Sequence, residues 1–135
     1  MLNQHLRYFY SSLIGLFGGF LSGLLGLSGS VIIIPLILII GLFKDYKSSI
    51  GTILFSFDPI LSIFAILEYA KKYKIEYVIG IIIMISYIFG SYIGSKMNKY
   101  LTEKYVKNIN ATILLILSIY MFYNANKENN VKQNI

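Results

Sequence analysis

The stretch Gly26-Leu27-Ser28-Gly29-Ser30, set directly before the aliphatic run Val31-Ile32-Ile33-Ile34-Pro35, carries the residue types best suited to chemistry. A serine just ahead of an apolar helix is a natural N-cap. Glycine lets backbone amides turn toward a ligand, and a helix N-terminus adds positive partial charge. Gly26, Ser28, Gly29 and Ser30 thus form a candidate seat for a small anion. Ser48-Ser49-Ile50-Gly51-Thr52 offers a second set, in which Ser49, Gly51 and Thr52 are candidate ligands of the same anion. The plainer alternative is that both stretches are ordinary caps and hinges. Asp58, followed by Pro59, places an ionisable group inside an apolar segment, which is costly at membrane depth. Two roles stand open for it. Protonation and release would couple protons to transport, or its carboxylate would cap a helix restarted at Pro59.

Other chemistries find no residues. No nucleophile–base pair, phosphate-binding loop or dinucleotide fingerprint is present, and the glycine-rich stretch lacks the lysine of a P-loop. Cysteine is absent, and the single histidine, His5, precedes the apolar part of the chain. No enzymatic activity, metal or cofactor is therefore expected.

The elements that must hold these residues are apolar and long. The chain is 56% hydrophobic and 13% charged, well outside the soluble norm of about 45–50% and about 25%. A domain of 135 residues could not bury that much apolar surface in water, whereas a bilayer accepts it. Five apolar segments follow one another: A (8–27), B (31–43), C (48–69), D (77–97) and E (106–123). A, C, D and E have the roughly 20 residues that a spanning helix needs, and B does not. Backbone groups in lipid must be paired within the segment, so the spans are predicted to be helical. The fold class is all-α: a polytopic transmembrane bundle of four spanning helices with one short broken or re-entrant helix after the Gly/Ser break. Residues 1–123 form the membrane domain and 124–135 a polar C-terminal tail. No cleavable signal peptide is expected, because more spans follow the first one.

Small residues recur at helical spacing: Gly15, Gly19 and Gly23 in segment A, and Gly90 and Gly94, with Ser86 in register, in segment D. Such stripes let helices approach closely in lipid, within one subunit or across a dimer face. The net charge of +6 comes from short basic clusters between apolar runs, which suits anionic headgroups and not a nucleic-acid groove. Tyrosines cluster near segment ends, as in interfacial belts. If A–B returns to its own side, basic residues divide seven against five between the two faces. If it crosses once, they divide six against six. Either bias is weak, as for a pair inserted in both orientations.

The run Leu16-Phe-Gly-Gly-Phe-Leu-Ser-Gly-Leu-Leu-Gly-Leu-Ser-Gly-Ser-Val-Ile-Ile-Ile-Pro35 resembles the sulfite exporter TauE/SafE family of membrane transporters. The resemblance rests on a glycine-spaced helix, a glycine turn, an aliphatic run and a proline. It continues through Gly51-Thr52, the Lys74-Ile-Glu76-Tyr77 loop, Gly90-x-x-x-Gly94 with Lys96, and a final aliphatic helix, covering about 13–123. Two glycines expected in the turn are serines here. Members usually carry two such repeats, and this chain has room for one. The resemblance implies export or uptake of small sulfur-containing anions such as sulfite or organosulfonates, in a multi-pass protein of the cell membrane. The expected partners are the lipid bilayer, the anionic substrate, and a second copy or a second half-transporter; no nucleic acid is expected. The competing reading is a non-transporting membrane scaffold or assembly partner, or a degenerate half-transporter.

Overall fold

A computed structural model describes the backbone of residues 3–133 and the side chains of residues 3–127. Six helices follow in order: α1 (Gln4–Leu25), α2 (Gly29–Ile40), α3 (Tyr46–Phe57), α4 (Ile63–Lys72), α5 (Tyr77–Asn98) and α6 (Glu103–Gln133). Among the described residues there is no strand, although α2 is rich in β-branched isoleucine. In an apolar medium the requirement to pair every amide internally outweighs that propensity. Glycine ends both arms of the first hairpin. Gly26 (φ 73°) closes α1 and Gly41 (φ 67°) closes α2, each in the left-handed conformation that glycine adopts without penalty.

Three helices are long and apolar enough to cross a membrane: α1, α5 and the stretch Glu103–Lys127 of α6. Segment C, expected as a fourth spanning helix, is instead α3 and α4 joined by a turn at 58–62. Length alone allowed a span. Pro59 lacks an amide proton and pushes the residue before it out of the helical region, and Asp58 accordingly sits at φ −131°, ψ 55°. Each half is then too short, since the 12 residues of α3 rise about 18 Å against a hydrocarbon core of about 30 Å. The polar stretch beginning at Asn124 continues α6 without a break as far as Gln133.

The closest helix pair is α1 with α5, which run in the same direction. A Cβ at Gly15, Gly19 or Gly23 would stand 2.6, 2.3 or 2.1 Å from the carbonyl oxygens of Ile83, Tyr87 and Ser91. Conversely, one at Gly90 or Gly94 would stand 2.1 Å from the oxygens of Leu16 and Phe20. The two small-residue stripes therefore mesh with each other, backbone against backbone, within one chain. Only the absence of side chains permits that approach.

The remaining helices are fitted around this pair. α2 lies antiparallel to α1, with Ile33 filling the space in front of Gly18. It ends where Arg7 Nη2 donates to the Leu42 carbonyl at 3.2 Å, so segments A and B form a hairpin. α3 runs alongside α5 in the same direction: Ser48 Oγ donates to the Lys74 carbonyl, Gly80 abuts Phe55 and Ser56, and Phe57 meets Tyr87. α4 then turns back, bringing Tyr69 against Gly51 and Tyr73 beneath Lys47. α6 is antiparallel to α1 and more loosely held, from Asn110 Nδ2 on the Leu25 carbonyl (2.9 Å) to Asn124 beside Tyr46 and Leu38. The core lies where these meet, in Ile14, Ile33, Ile37, Ile53, Ile79 and Ile83.

Because segment C returns, the charges sort differently from either expectation. Arg7, Lys44, Lys47, Lys71, Lys72, Lys74 and Lys127 share one end, and Lys96, Lys99, Lys104 and Lys107 share the other. Single cysteines at Lys47, Lys74 and Arg7 are expected to react with an impermeant maleimide from one side of the membrane, and one at Lys104 from the other. Labelling of Lys47→Cys from the Lys104 side would refute the hairpin. Replacing Gly19 by leucine is expected to lower stability in mild detergent by about 1–3 kcal/mol or more through overpacking. Gly41→Ala, in open space but at positive φ, is expected to cost about 1–2 kcal/mol. A Gly19→Leu protein as heat-stable as the parent in detergent would contradict the meshed stripes.

Candidate functional site

The Gly/Ser break sits where α1, α2, α3 and α5 converge. α1 ends at Leu25, Gly26 to Ser28 make the turn, and α2 starts at Gly29. Gly26 is exposed, with open space where a side chain would be. Gly29 is buried, and a Cβ there would lie 2.5 Å from Tyr87 Cε2 and 2.9 Å from Phe57 Cε1. Those two rings meet edge to face at 4.6 Å and form the floor on which α2 begins. The Tyr87 ring reaches the start of α2 from near the midpoint of α5, while Asn98 Nδ2, on the last residue of α5, donates to the Leu24 carbonyl at 2.6 Å, so the start of α2 lies between the middle and the C-terminal end of that span.

Ser28 occupies the N-cap position (φ −60°, ψ 134°), but its side chain caps nothing. Its Oγ pairs instead with Ser30 Oγ at 3.0 Å, leaving the first turn of α2 without a side-chain acceptor. Ser28 is exposed and Ser30 half-buried. Ser30 also opens onto a groove of about 360 Å³ between α2 and α6, lined by Ile34, Pro35, Leu114 and Ser118 among others. Two paired hydroxyls at an uncapped helix start, one of them opening onto the groove, can accept a small anion by hydrogen bonding and partial charge.

Residues overlooked in the sequence hold this turn in place. Ser22 Oγ donates to the Leu27 carbonyl and lies 2.5 Å from the Tyr87 hydroxyl, which ties the end of α1, the turn and α5 together. Tyr87 carried a readable signal: it is a tyrosine in the middle of an apolar segment, away from the interfacial clusters. A hydroxyl at that depth needs a partner.

Ser49, Gly51 and Thr52 are not brought to the break. All three are buried in α3 and engaged locally. Ser49 Oγ donates to the Tyr46 carbonyl at 2.6 Å. Thr52 Oγ1 donates to the Ser48 carbonyl at 2.9 Å and accepts the Glu76 amide at 3.1 Å. Gly51 makes room for Tyr69 and Ile75. Thr52 stands beside Gly80, seven residues before Tyr87 on α5, hence roughly 10 Å along the axis from Gly29. The Ser49 and Thr52 hydroxyls anchor α3 and the loop before α5. What α3 delivers to the break is Phe57.

Asp58 is exposed at the C-terminal end of α3. Its backbone bridges the turn, its amide donating to the Leu54 carbonyl (2.9 Å) and its carbonyl accepting from the Ser62 amide (2.9 Å). Its carboxylate caps neither α3 nor α4, since α4 begins after Ser62 with no side-chain cap.

A second polar region lies at the opposite end of α2. Arg7 Nη2 and Glu76 Oε1 are 2.6 Å apart and both about one-fifth exposed, joining α1 to the loop before α5. Arg7 also stands 6.0 Å from the Phe43 ring. With Lys44, Asp45 and Lys74 they line a cavity of about 410 Å³. Nearby, the Tyr73 hydroxyl holds the Lys47 ammonium above the ordinary lysine range. The pairing of Arg7 with Glu76, which lies in the Lys74–Tyr77 loop, joins residues 69 apart in the sequence.

The family model described as sulfite exporter TauE/SafE matches residues 11–134. A protein of Methanocaldococcus jannaschii described as a "probable membrane transporter protein" is 30% identical over 120 residues, covering 81% of this chain and 43% of that protein. The chain thus spans less than half the length of this curated relative. No solved structure matches it. With the match extending from α1 to the end of α6, the chain is an integral membrane protein of helical construction and belongs to the sulfite exporter TauE/SafE family.

Proposed function

We propose that the chain is a subunit of a secondary transporter that moves small anions, of the sulfur-containing class that includes sulfite and organosulfonates. It works in the cell membrane as one half of a pair, with a second copy or a second half-transporter. The observation that carries this reading is the start of α2: uncapped, flanked by Ser28 and Ser30, and set on the Tyr87–Phe57 floor. An oxyanion there takes up N–H and O–H donors that lipid cannot satisfy, at the positive end of the α2 dipole. Serine in place of two family glycines adds hydroxyl donors at the cost of space, which suits a small oxyanion. Gly26 and Gly29 supply the turn and the close approach to Tyr87. Family membership and the name of the archaeal relative support a transport role for the site.

Asp58 is the group we assign to coupling. It lies next to Phe57, whose ring is part of the floor, and its carboxylate is committed to no cap. Taking up a proton discharges it, so two charge states of the α3–α4 turn can accompany the loaded and empty site. Ser49, Gly51 and Thr52 contribute by fixing α3, which holds Phe57 under Gly29.

Flux of labelled sulfite and of a taurine-like sulfonate into proteoliposomes tests the reading. Ser28→Leu removes a hydroxyl donor and crowds the turn, and is expected to reduce uptake about tenfold or more, the equivalent of one charge-assisted hydrogen bond. Asp58→Asn is expected to retain anion binding while uptake loses its dependence on pH. Absence of flux for every anion tried would return the chain to the scaffold reading. An Asp58→Asn protein with the parent's pH profile would remove the coupling role alone.

A further inference from the structure

The turn between α3 and α4 exposes what a bilayer does not accept. Phe57 packs against Tyr87 near the midpoint of α5, so the turn at 58–62 that follows it lies at that depth. Its backbone is non-helical, its carboxylate at Asp58 is exposed, and Ile60, Leu61 and Phe64 are 83%, 88% and 83% exposed. The many apolar side chains exposed along α5 and α6 need no such explanation, because a regular helix presents only hydrocarbon to lipid. Irregular backbone and a carboxylate at mid-bilayer are tolerated only against protein or beside water that protein encloses. Among the described residues nothing covers them.

We infer that the α3–α4 turn, centred on Ile60 and Leu61, is the surface through which two copies of this chain associate. The occupant is a second copy, on two grounds. The archaeal relative has room for this unit and a second one of at least its size within one chain, since the matched region covers only 43% of it. In addition, a turn at the midpoint of the span meets its counterpart at equal depth whichever way the second copy is inserted. A self-complementary contact of this kind buries the same patch on both partners. It encloses Asp58 beside the α2 start and removes Leu61 and Phe64 from lipid. The inference deepens the pairing proposed above and rests on it.

Cross-linking in the membrane decides the matter, and the absence of native cysteine makes it clean. Leu61→Cys and, as a control on the exposed face of α6, Ile119→Cys are reconstituted singly in phosphatidylethanolamine–phosphatidylglycerol liposomes at low protein-to-lipid ratio and treated with a short bis-maleimide. Leu61→Cys is expected to give a covalent species of twice the chain mass, several-fold more than Ile119→Cys. A Leu61→Cys protein that labels fully yet stays monomeric overturns the interface, as does equal cross-linking at both positions, which reports collision alone. Flux measured on the same vesicles separates the two ideas. Cross-linked protein without flux refutes transport and leaves the interface standing, whereas flux by a strictly monomeric chain refutes the interface alone.

Discussion

Inside a bilayer the peptide N–H and C=O groups have no water to fall back on, and each must find a partner within the protein. That constraint makes the isoleucine-rich α2 a helix and gives glycine C-caps to both arms of the first hairpin. It also confines irregular backbone to a few places. The 58–62 turn lies beside the middle of α5, and the Gly26–Ser28 turn lies between that level and the end of α5. These breaks hold the Ser28 and Ser30 hydroxyls, the uncapped start of α2 and the Asp58 carboxylate.

The α1–α5 pair supplies the frame in which those breaks can exist. Glycines on each helix seat against carbonyls of the other, so the two axes run close and parallel over most of their length. Consecutive spans are usually antiparallel neighbours; here the whole of α2–α4 intervenes and comes back to the Arg7 end before α5 begins. Ile33, Ile37 and Ile53 are packed against that frame, and the Arg7–Glu76 pair ties the two helix starts together at its edge. A partly exposed ion pair adds modest stability, yet it fixes the register of α1 against the loop that leads into α5.

Function follows from the convergence. Gly29 approaches Tyr87 and Phe57 because it has no side chain, and Ser22 joins Tyr87 to the carbonyl of Leu27. The turn is therefore held from below, while the Ser28 and Ser30 hydroxyls pair only with each other above it. A rigid floor with adaptable hydroxyls suits recognition of a small oxyanion better than a loop free on both sides. Family membership and the uncapped start of α2 both support the transport role proposed above.

Sequence by itself determined the membrane class, the positions of the helices in segments A, D and E, the break after Gly26, the small-residue stripes and the family. These are local properties: hydropathy over 20 residues, four-residue spacing, and the order of glycines and prolines. Where the chain turned on contacts between distant residues, the sequence was silent or misleading. Segment C was long enough to cross, and only the placement of α3 along α5 and α4 against α3 revealed it as a return. Ser49 and Thr52 are read from the sequence as candidate ligands with Gly51; in the fold their hydroxyls pair with the Tyr46 and Ser48 carbonyls and the Glu76 amide, and Gly51 seats Tyr69 and Ile75. Tyr87, Ser22 and the Arg7–Glu76 pair became meaningful only across separations of 65 and 69 residues. Periodicity tells which faces are apolar; which faces meet is a matter of packing, and packing is decided by the tertiary fold.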